Sequence, residues 1–261
     1  MTRHLLPCGE AAVLVELDGL DEVMALDQAV QSAIAGGDKA FADVVDVVPG
    51  ARTVLLVVRD GGDIAPLRRA LPTLSLPSSG FSAGAGPGGG GGGGAGRSGA
   101  GASTEIAVHY DGPDLEEVCA LTGLSRAELV AAHTGTPWRA AFVGFAPGFA
   151  YLAGGDDRLQ VPRRTEPRTS VPAGSVGLAG GYSAVYPRSS PGGWQLIGHT
   201  DVAVWDVDRE PPALLPPGSV IRFVDAEAAS GVDDADDAGA GAGEDAEADA
   251  ERAAGDTGVA P

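Results

Sequence analysis

The chain has 261 residues and is 44% hydrophobic, enough for one large or two medium domains, and its 5% aromatic content leaves the core mostly to Val, Leu and Ala. The net charge of −19 is uneven: residues 225–261 hold 12 of the 36 acidic residues and one arginine, so the preceding 224 residues carry −8. A mildly acidic body excludes broad nucleic-acid binding through a basic face, two distant cysteines (Cys8 and Cys119) exclude a disulfide framework, and no apolar run is long enough for a transmembrane helix.

Residues 11–17, AAVLVEL, have strand character after a turn at 7–9. Leu20, Val23, Met24, Leu26, Val30 and Ile34 recur near a period of 3.6, which predicts an amphipathic helix over 20–35, stopped at Gly36 and Gly37. Strands are expected over 44–48 and 53–58, then a helix over 63–71 that tolerates Pro66 in its first turn. This order makes residues 1–77 a small α/β domain of ferredoxin-like character. Residues 78–103 are a glycine-rich run with the composition of a flexible linker, and they lack the GxxxxGK[ST] pattern of a phosphate loop.

A second domain is assigned to residues 104–225. It opens with a strand over 104–109 and a helix with Pro113 at its first position and Asp114, Glu116 and Glu117 in or near its first turn. Gly123 ends that helix, and Ser125 with Glu128 forms a capping box for the next, which runs to about His133. Strands are expected over 139–145, 202–206 and 219–224, with short ones at 170–171, 175–178, 184–186 and 194–197 between closely spaced Gly and Pro turns. Such spacing reads as a barrel or sandwich, so the fold class is α+β. Residues 226–261 are expected to be a disordered acidic tail. The N-terminus has no apolar signal region, which makes a cytoplasmic protein the expectation.

The stretch 143–198 is the chemical centre of the chain. It gathers Arg163, Arg164, Arg168, Arg188 and Gln195 on a backbone stiffened by Pro and Gly, in a chain whose only lysine is Lys39. Guanidinium forks suit carboxylate or phosphate oxygens, so this segment is expected to bind an anion or another protein chain. The plainer alternative pairs one or two of these arginines with Asp156, Asp157 or the acidic helix. His133 sits at a helix end, where the dipole favours the protonated ring. His199 lies near Asp201, which could orient it for proton transfer. Ser175 and the amides around Gly193 are candidate donors to a developing oxyanion. There is no HExxH, CxxC or GxSxG, and no metal site is expected.

GFAPGFAYL, PRRTEPRTSVPAGSVGLAGG, YPRSSPGGWQLIGHT and LLPPGSVIRF, together with PCGEAAVLVEL, DVVPGARTVLLV and YDGPDLEEV, resemble the allophanate-hydrolase-subunit-1-like family, which includes KipI and the B component of 5-oxoprolinase. The likeness covers roughly residues 4–224. It implies a carboxyltransferase-type, cyclophilin-like β-barrel over the second domain. It implies ATP-dependent opening of 5-oxo-L-proline to L-glutamate by a hydrolase complex with a C-type (subunit-2-type) companion and an A-type companion, inactive in this chain alone. ATP, with or without Mg2+, would then bind this chain or its partner. The resemblance carries His133, Gly148, Arg163, Arg164, Arg168, Ser175, Gly193 and Trp194 forward as site candidates, with His199 at a position where the family usually has Arg. Tyr182, Ser183 and Ala184 stand where it usually has Gln-Thr-Gly. Two other roles remain open: a KipI-like inhibitor of a histidine kinase, and a component of a urea- or allophanate-related carboxylase.

Overall fold

The computed structural model describes residues 3–77 and 103–228. The linker expected at 78–103 and the tail expected at 226–261 lie, apart from residues 103 and 226–228, outside the described residues. The chain up to Ala226 forms one unit built on a four-stranded and a seven-stranded sheet, with a small two-stranded one beside them.

The first sheet has four antiparallel strands in the order β1 (His4–Pro7), β2 (Ala12–Glu16), β4 (Thr53–Val58), β3 (Val44–Pro49). Helices α1 (Leu20–Ala35) and α2 (Ile64–Ala70) supply its packing partners. Strand β4 alternates half-buried and buried residues, and Val54, Leu56 and Val58 meet Val23, Leu26 and Val30 of α1 in one core. Asp63 caps α2 by accepting the Ala65 N–H at 2.9 Å. The sequence reading missed β1, an edge strand paired with β2, because HLLP is short and ends in proline.

The second sheet has seven strands: β5 (Thr104–Val108), β6 (Trp138–Val143), β7 (Ala150–Ala153), β9 (Ser175–Ala179), β10 (Tyr182–Val185), β12 (Gln195–His199) and β13 (Val220–Asp225). They run in the order β12-β9-β10-β7-β6-β13-β5, antiparallel except for the parallel β13–β5 pair. Reciprocal backbone bonds between His109 and His199, 2.8 and 2.9 Å long, join the two edges and nearly close the sheet into a barrel. Two glycines make this seam possible. A Cβ on Gly112 would lie 2.3 Å from the Ile197 carbonyl carbon, and one on Gly198 would lie 2.3 Å from the His109 oxygen.

Strand alternation divides the barrel's side chains between two cores. Val176, Leu178, Val185 and Ile197 join the core of α3 (Leu115–Thr122) and α4 (Arg126–Gly135). Trp194, Leu196, Ala184 and Tyr186 join Phe149 and Val171 in the other, where β8 (Arg168–Val171) and β11 (Ser190–Gly192) form a two-stranded ribbon. The capping box of α4 is formed as expected, and α3 ends at Gly123 with φ 72. Two expectations change. Helix α3 starts at Leu115, so Pro113 lies before the cap residue Asp114. Residues 202–206 form no strand: pairing is limited to the Trp205–Ala213 bridge, flanked by the Asp206 N–H to Pro212 and Leu214 N–H to Val204 bonds, and Arg209 closes the intervening loop by donating to the Ala203 and Pro212 carbonyls.

Candidate functional site

The barrel seam leads directly to the arginines. Beyond His109 the chain runs along β12: the Gly112 N–H donates to the Ile197 carbonyl at 3.2 Å and the Asp114 N–H to the Leu196 carbonyl at 3.0 Å. This brings the Asp114 side chain, 2% exposed, under the barrel edge. Its Oδ2 accepts the Leu196 N–H at 2.7 Å, and its Oδ1 accepts from both Arg164 Nη1 and Arg168 Nη2, each at 2.7 Å. A helix-cap carboxylate would ordinarily bond its own first turn, and Asp114 does not. It serves the arginines instead. Burial alone would raise its carboxyl, but the Arg168 hydrogen bond, the Leu196 amide and the charges of Arg168 and Arg164 outweigh that and hold it below the usual carboxylate range.

Around this hub the site extends toward solvent. Glu117 Oε2 lies 3.5 Å from Arg164 Nη1, and Gln195 Nε2 reaches Glu117 Oε1 at 3.4 Å. Gln195 is 1% exposed, and its Oε1 has no hydrogen-bond partner; Arg164 Nε and Arg168 Nη1 are likewise buried and unpaired. Gly193 contributes through its backbone, its carbonyl accepting the Arg164 N–H at 2.8 Å. Trp194 packs edge-on against Phe149 and Tyr151, and the Arg163 guanidinium lies 6.0 Å from its ring centroid. Arg163 is exposed. The arginine segment therefore holds two braced guanidinium groups beside one that faces water.

Residues 3–215 match the family model for the carboxyltransferase domain, subdomain C and D. The chain belongs to this carboxyltransferase-domain family. It is 50% identical over 123 residues to the B component of 5-oxoprolinase from Escherichia coli O157:H7, a match that covers 46% of this chain and 56% of that protein. Against the B component of 5-oxoprolinase from Haemophilus influenzae it is 32% identical over 226 residues, 85% of this chain and 97% of the relative. Among solved structures it superposes on TTHA0988 with a TM-score of 0.63 at 33% identity, over 82% of this chain and 40% of that one. The family resemblance read from the motifs is thus borne out.

Within this family fold the remaining site candidates separate. His133 is fully enclosed, with Nδ1 hydrogen-bonded to Tyr110 Oη at 2.8 Å and Nε2 to Ser183 Oγ at 2.9 Å, and its ring stacks on Phe223 at 4.3 Å. Burial pushes its pKa down to about 3 and overrides the helix dipole that favours the charged ring. His133 is thus a neutral ring enclosed in the core, not the charged helix-end histidine that the sequence suggested. His199 and Ser175 face each other in the β12–β9 register, four residues along β12 from Gln195, or roughly 13 Å at the rise of a strand. His199 bonds Asp111 rather than the expected Asp201, at 2.8 Å, and stacks on His109 at 4.9 Å. Gly148, at φ 79, lies in another loop, where a Cβ would come 2.6 Å from Trp205 Cβ. Among the described residues no three His, Cys, Asp or Glu side chains stand together as a metal site.

Sequence reasoning missed Asp114 as the hub. It read Asp114 as first-turn charge and offered the acidic helix only as a general partner for the arginines. The signal lay in the fold: Asp114 meets Arg164 and Arg168 because the seam joins segments 50 and 54 residues apart.

Proposed function

We propose that this chain is the B component of an ATP-dependent 5-oxoprolinase that opens 5-oxo-L-proline to L-glutamate in the cytoplasm, assembled with companions of the A and C types and inactive alone. The observation that carries the reading is the cluster of Asp114, Arg164, Arg168 and Arg163 on a rigid barrel seam, in a chain whose relatives are named as the B component of 5-oxoprolinase. The finer fold assignments belong to the same reading. The strand order β1-β2-β4-β3 has the spatial arrangement of a ferredoxin-like sheet whose outer strand comes from the N-terminus. On this reading the near-closed seven-stranded sheet is of the cyclophilin type, and the two sheets with their helices correspond to the expected domains 1–77 and 104–225 within one compact unit.

A lactam is a stabilised amide and a poor electrophile. ATP, when bound, supplies the phosphoryl group that turns the lactam oxygen into a leaving group. The donor set fits such an anion: guanidinium forks match phosphate and carboxylate oxygens, and fixed cations stabilise charge that develops during transfer. Asp114 neutralises one arginine and orients two. Arg163, facing solvent with its guanidinium 6.0 Å from the Trp194 ring centroid, is the guanidinium with free donors, and the partly exposed Arg164 and Arg168 lie on the same segment. The seam fixes these groups before substrate arrives, so little ordering remains at the reaction step.

The test is glutamate release from 5-oxoproline, with and without ATP, by the full chain co-expressed with its A-type and C-type companions. ATP-dependent release that disappears when this chain is omitted is the expected result. A well-formed complex that releases no glutamate overturns the substrate assignment.

A further inference from the structure

The turn between β6 and β7 carries a feature that the arginine site does not use. Phe145 stands at φ 69, in the left-handed region where a bulky side chain is rare, and is 60% exposed. The turn is fastened in place. The Gly144 N–H donates to the Phe149 carbonyl at 3.2 Å, the Phe149 N–H donates to the Ala146 carbonyl at 3.0 Å, and the Phe149 ring meets Phe145 edge-on at 5.2 Å. An aromatic ring is thus held out toward water in a backbone conformation that glycine adopts more easily.

Beside Phe145 opens an apolar groove of about 430 Å³, walled by Val143, Ala146, Trp205, Ala213 and Pro217. Trp205 can approach only because residue 148 is glycine. Trp205 belongs to the loop that replaces the expected strand, and Arg209 pins that loop through the Ala203 and Pro212 carbonyls at 3.0 and 2.8 Å. The same loop presents Val207, 74% exposed, between Asp206 and Asp208, with Glu210 just beyond. All three acids are exposed, while Arg209 is turned to backbone carbonyls.

Exposed apolar side chains around an apolar groove, on backbone that is already fixed, make a preorganised docking surface. The acidic residues that follow Trp205 in its loop decide the occupant. In a two-fold dimer of this chain the patch would meet itself, and Asp206, Asp208 and Glu210 would face their own copies. The acidic segment 225–261 is disfavoured on the same ground. A different polypeptide with an apolar anchor and basic flanks meets no such repulsion. We propose that this groove docks a companion chain, which inserts an apolar side chain between Phe145 and Trp205 and sets Lys or Arg against Asp208 and Glu210. The proposal rests on the reading of the chain as one component of a larger enzyme.

The test uses the full chain and a co-expressed C-type companion, with affinity measured by calorimetry and mass by light scattering. Phe145→Gly removes the ring and relieves the backbone, so affinity should fall at least 10-fold while Tm holds or rises. Asp208→Lys with Glu210→Lys should weaken binding several-fold and flatten its salt dependence. A wild-type complex indifferent to both changes overturns the docking surface, while ATP-dependent glutamate release once the A-type companion is added to that complex leaves the reading as an enzyme component intact. A homodimer that Phe145→Gly dissolves also overturns it, in favour of a second copy. Failure of the wild-type chain to bind any companion overturns both.

Discussion

Asp114 and His133 are almost equally shut off from water, yet one is held charged and the other neutral. Asp114 lies under the barrel edge, where two arginines reach it from the surface and a backbone amide takes its second oxygen. His133 lies between Phe223 and Trp138 with only hydroxyl partners. Burial opposes charge in both places. At the seam, hydrogen bonds and opposite charge outweigh it; in the core nothing does. Burial and a polar side chain are therefore not enough to mark a reactive group. The partners decide, and the seam joins its buried carboxylate to two partly exposed arginines.

The largest effect should come from Asp114→Ala. It strands two arginines and an amide that share one carboxylate, and losing one member of such a buried pair costs roughly 3–5 kcal/mol, toward the lower end here because the arginines are partly exposed. Urea unfolding of the full chain measures it, and glutamate release by the assembled complex should fall as well. Asp114→Asn keeps an acceptor oxygen and should lie between. A drop no greater than that of a surface substitution would remove Asp114 from its place as hub. Because its folded pKa lies below the usual value, the Asp114 contribution is present at neutral pH and lost as pH falls below the carboxylate range.

His133→Ala comes next. It leaves the Tyr110 and Ser183 hydroxyls without their partner and opens a cavity, at a cost of about 2–3 kcal/mol. Activity per folded molecule should hold, which separates the core from the seam. The wild-type histidine should also leave a pH signature. Between pH 6.5 and about 3 the unfolded chain takes up a proton that the folded chain refuses, so stability falls with pH by about 1 kcal/mol per unit. His133→Phe should remove that component of the slope. An unchanged slope would place the proton uptake elsewhere.

The same contrast shows what the sequence could and could not reveal. Amphipathic period, capping box and helix-ending glycines are local, so α1, α4 and the stop at Gly123 were legible from neighbours in the chain. The arginine segment was legible too, because composition alone marks it. Residues 202–206 misled because the apolar run Val-Ala-Val-Trp has strand character, and the run does not register that Arg209 folds the following chain back onto the Ala203 and Pro212 carbonyls. His133 misled because a helix end is a local feature, while its enclosure by Tyr110, Ser183 and Phe223 is tertiary. Asp114 stayed hidden for the same reason.

Arg163→Ala has the smallest expected cost in stability and makes the finest test. Its guanidinium is exposed and meets Trp194 at 6.0 Å, an arrangement that stabilises by about 0.5–1 kcal/mol at a surface site. If the arginine segment serves only the fold, its loss should be barely visible in any assay. If Arg163 is the free guanidinium of an anion site, glutamate release should collapse while Tm moves by no more than a few degrees. Arg163→Lys sharpens the point, because it keeps the charge but loses the planar fork. Partial recovery with Lys would show that charge suffices; none would show that the planar fork is what the site requires. Unchanged kinetics in both variants would leave the braced pair at Asp114 as an architectural feature of the seam and move the anion site to another surface.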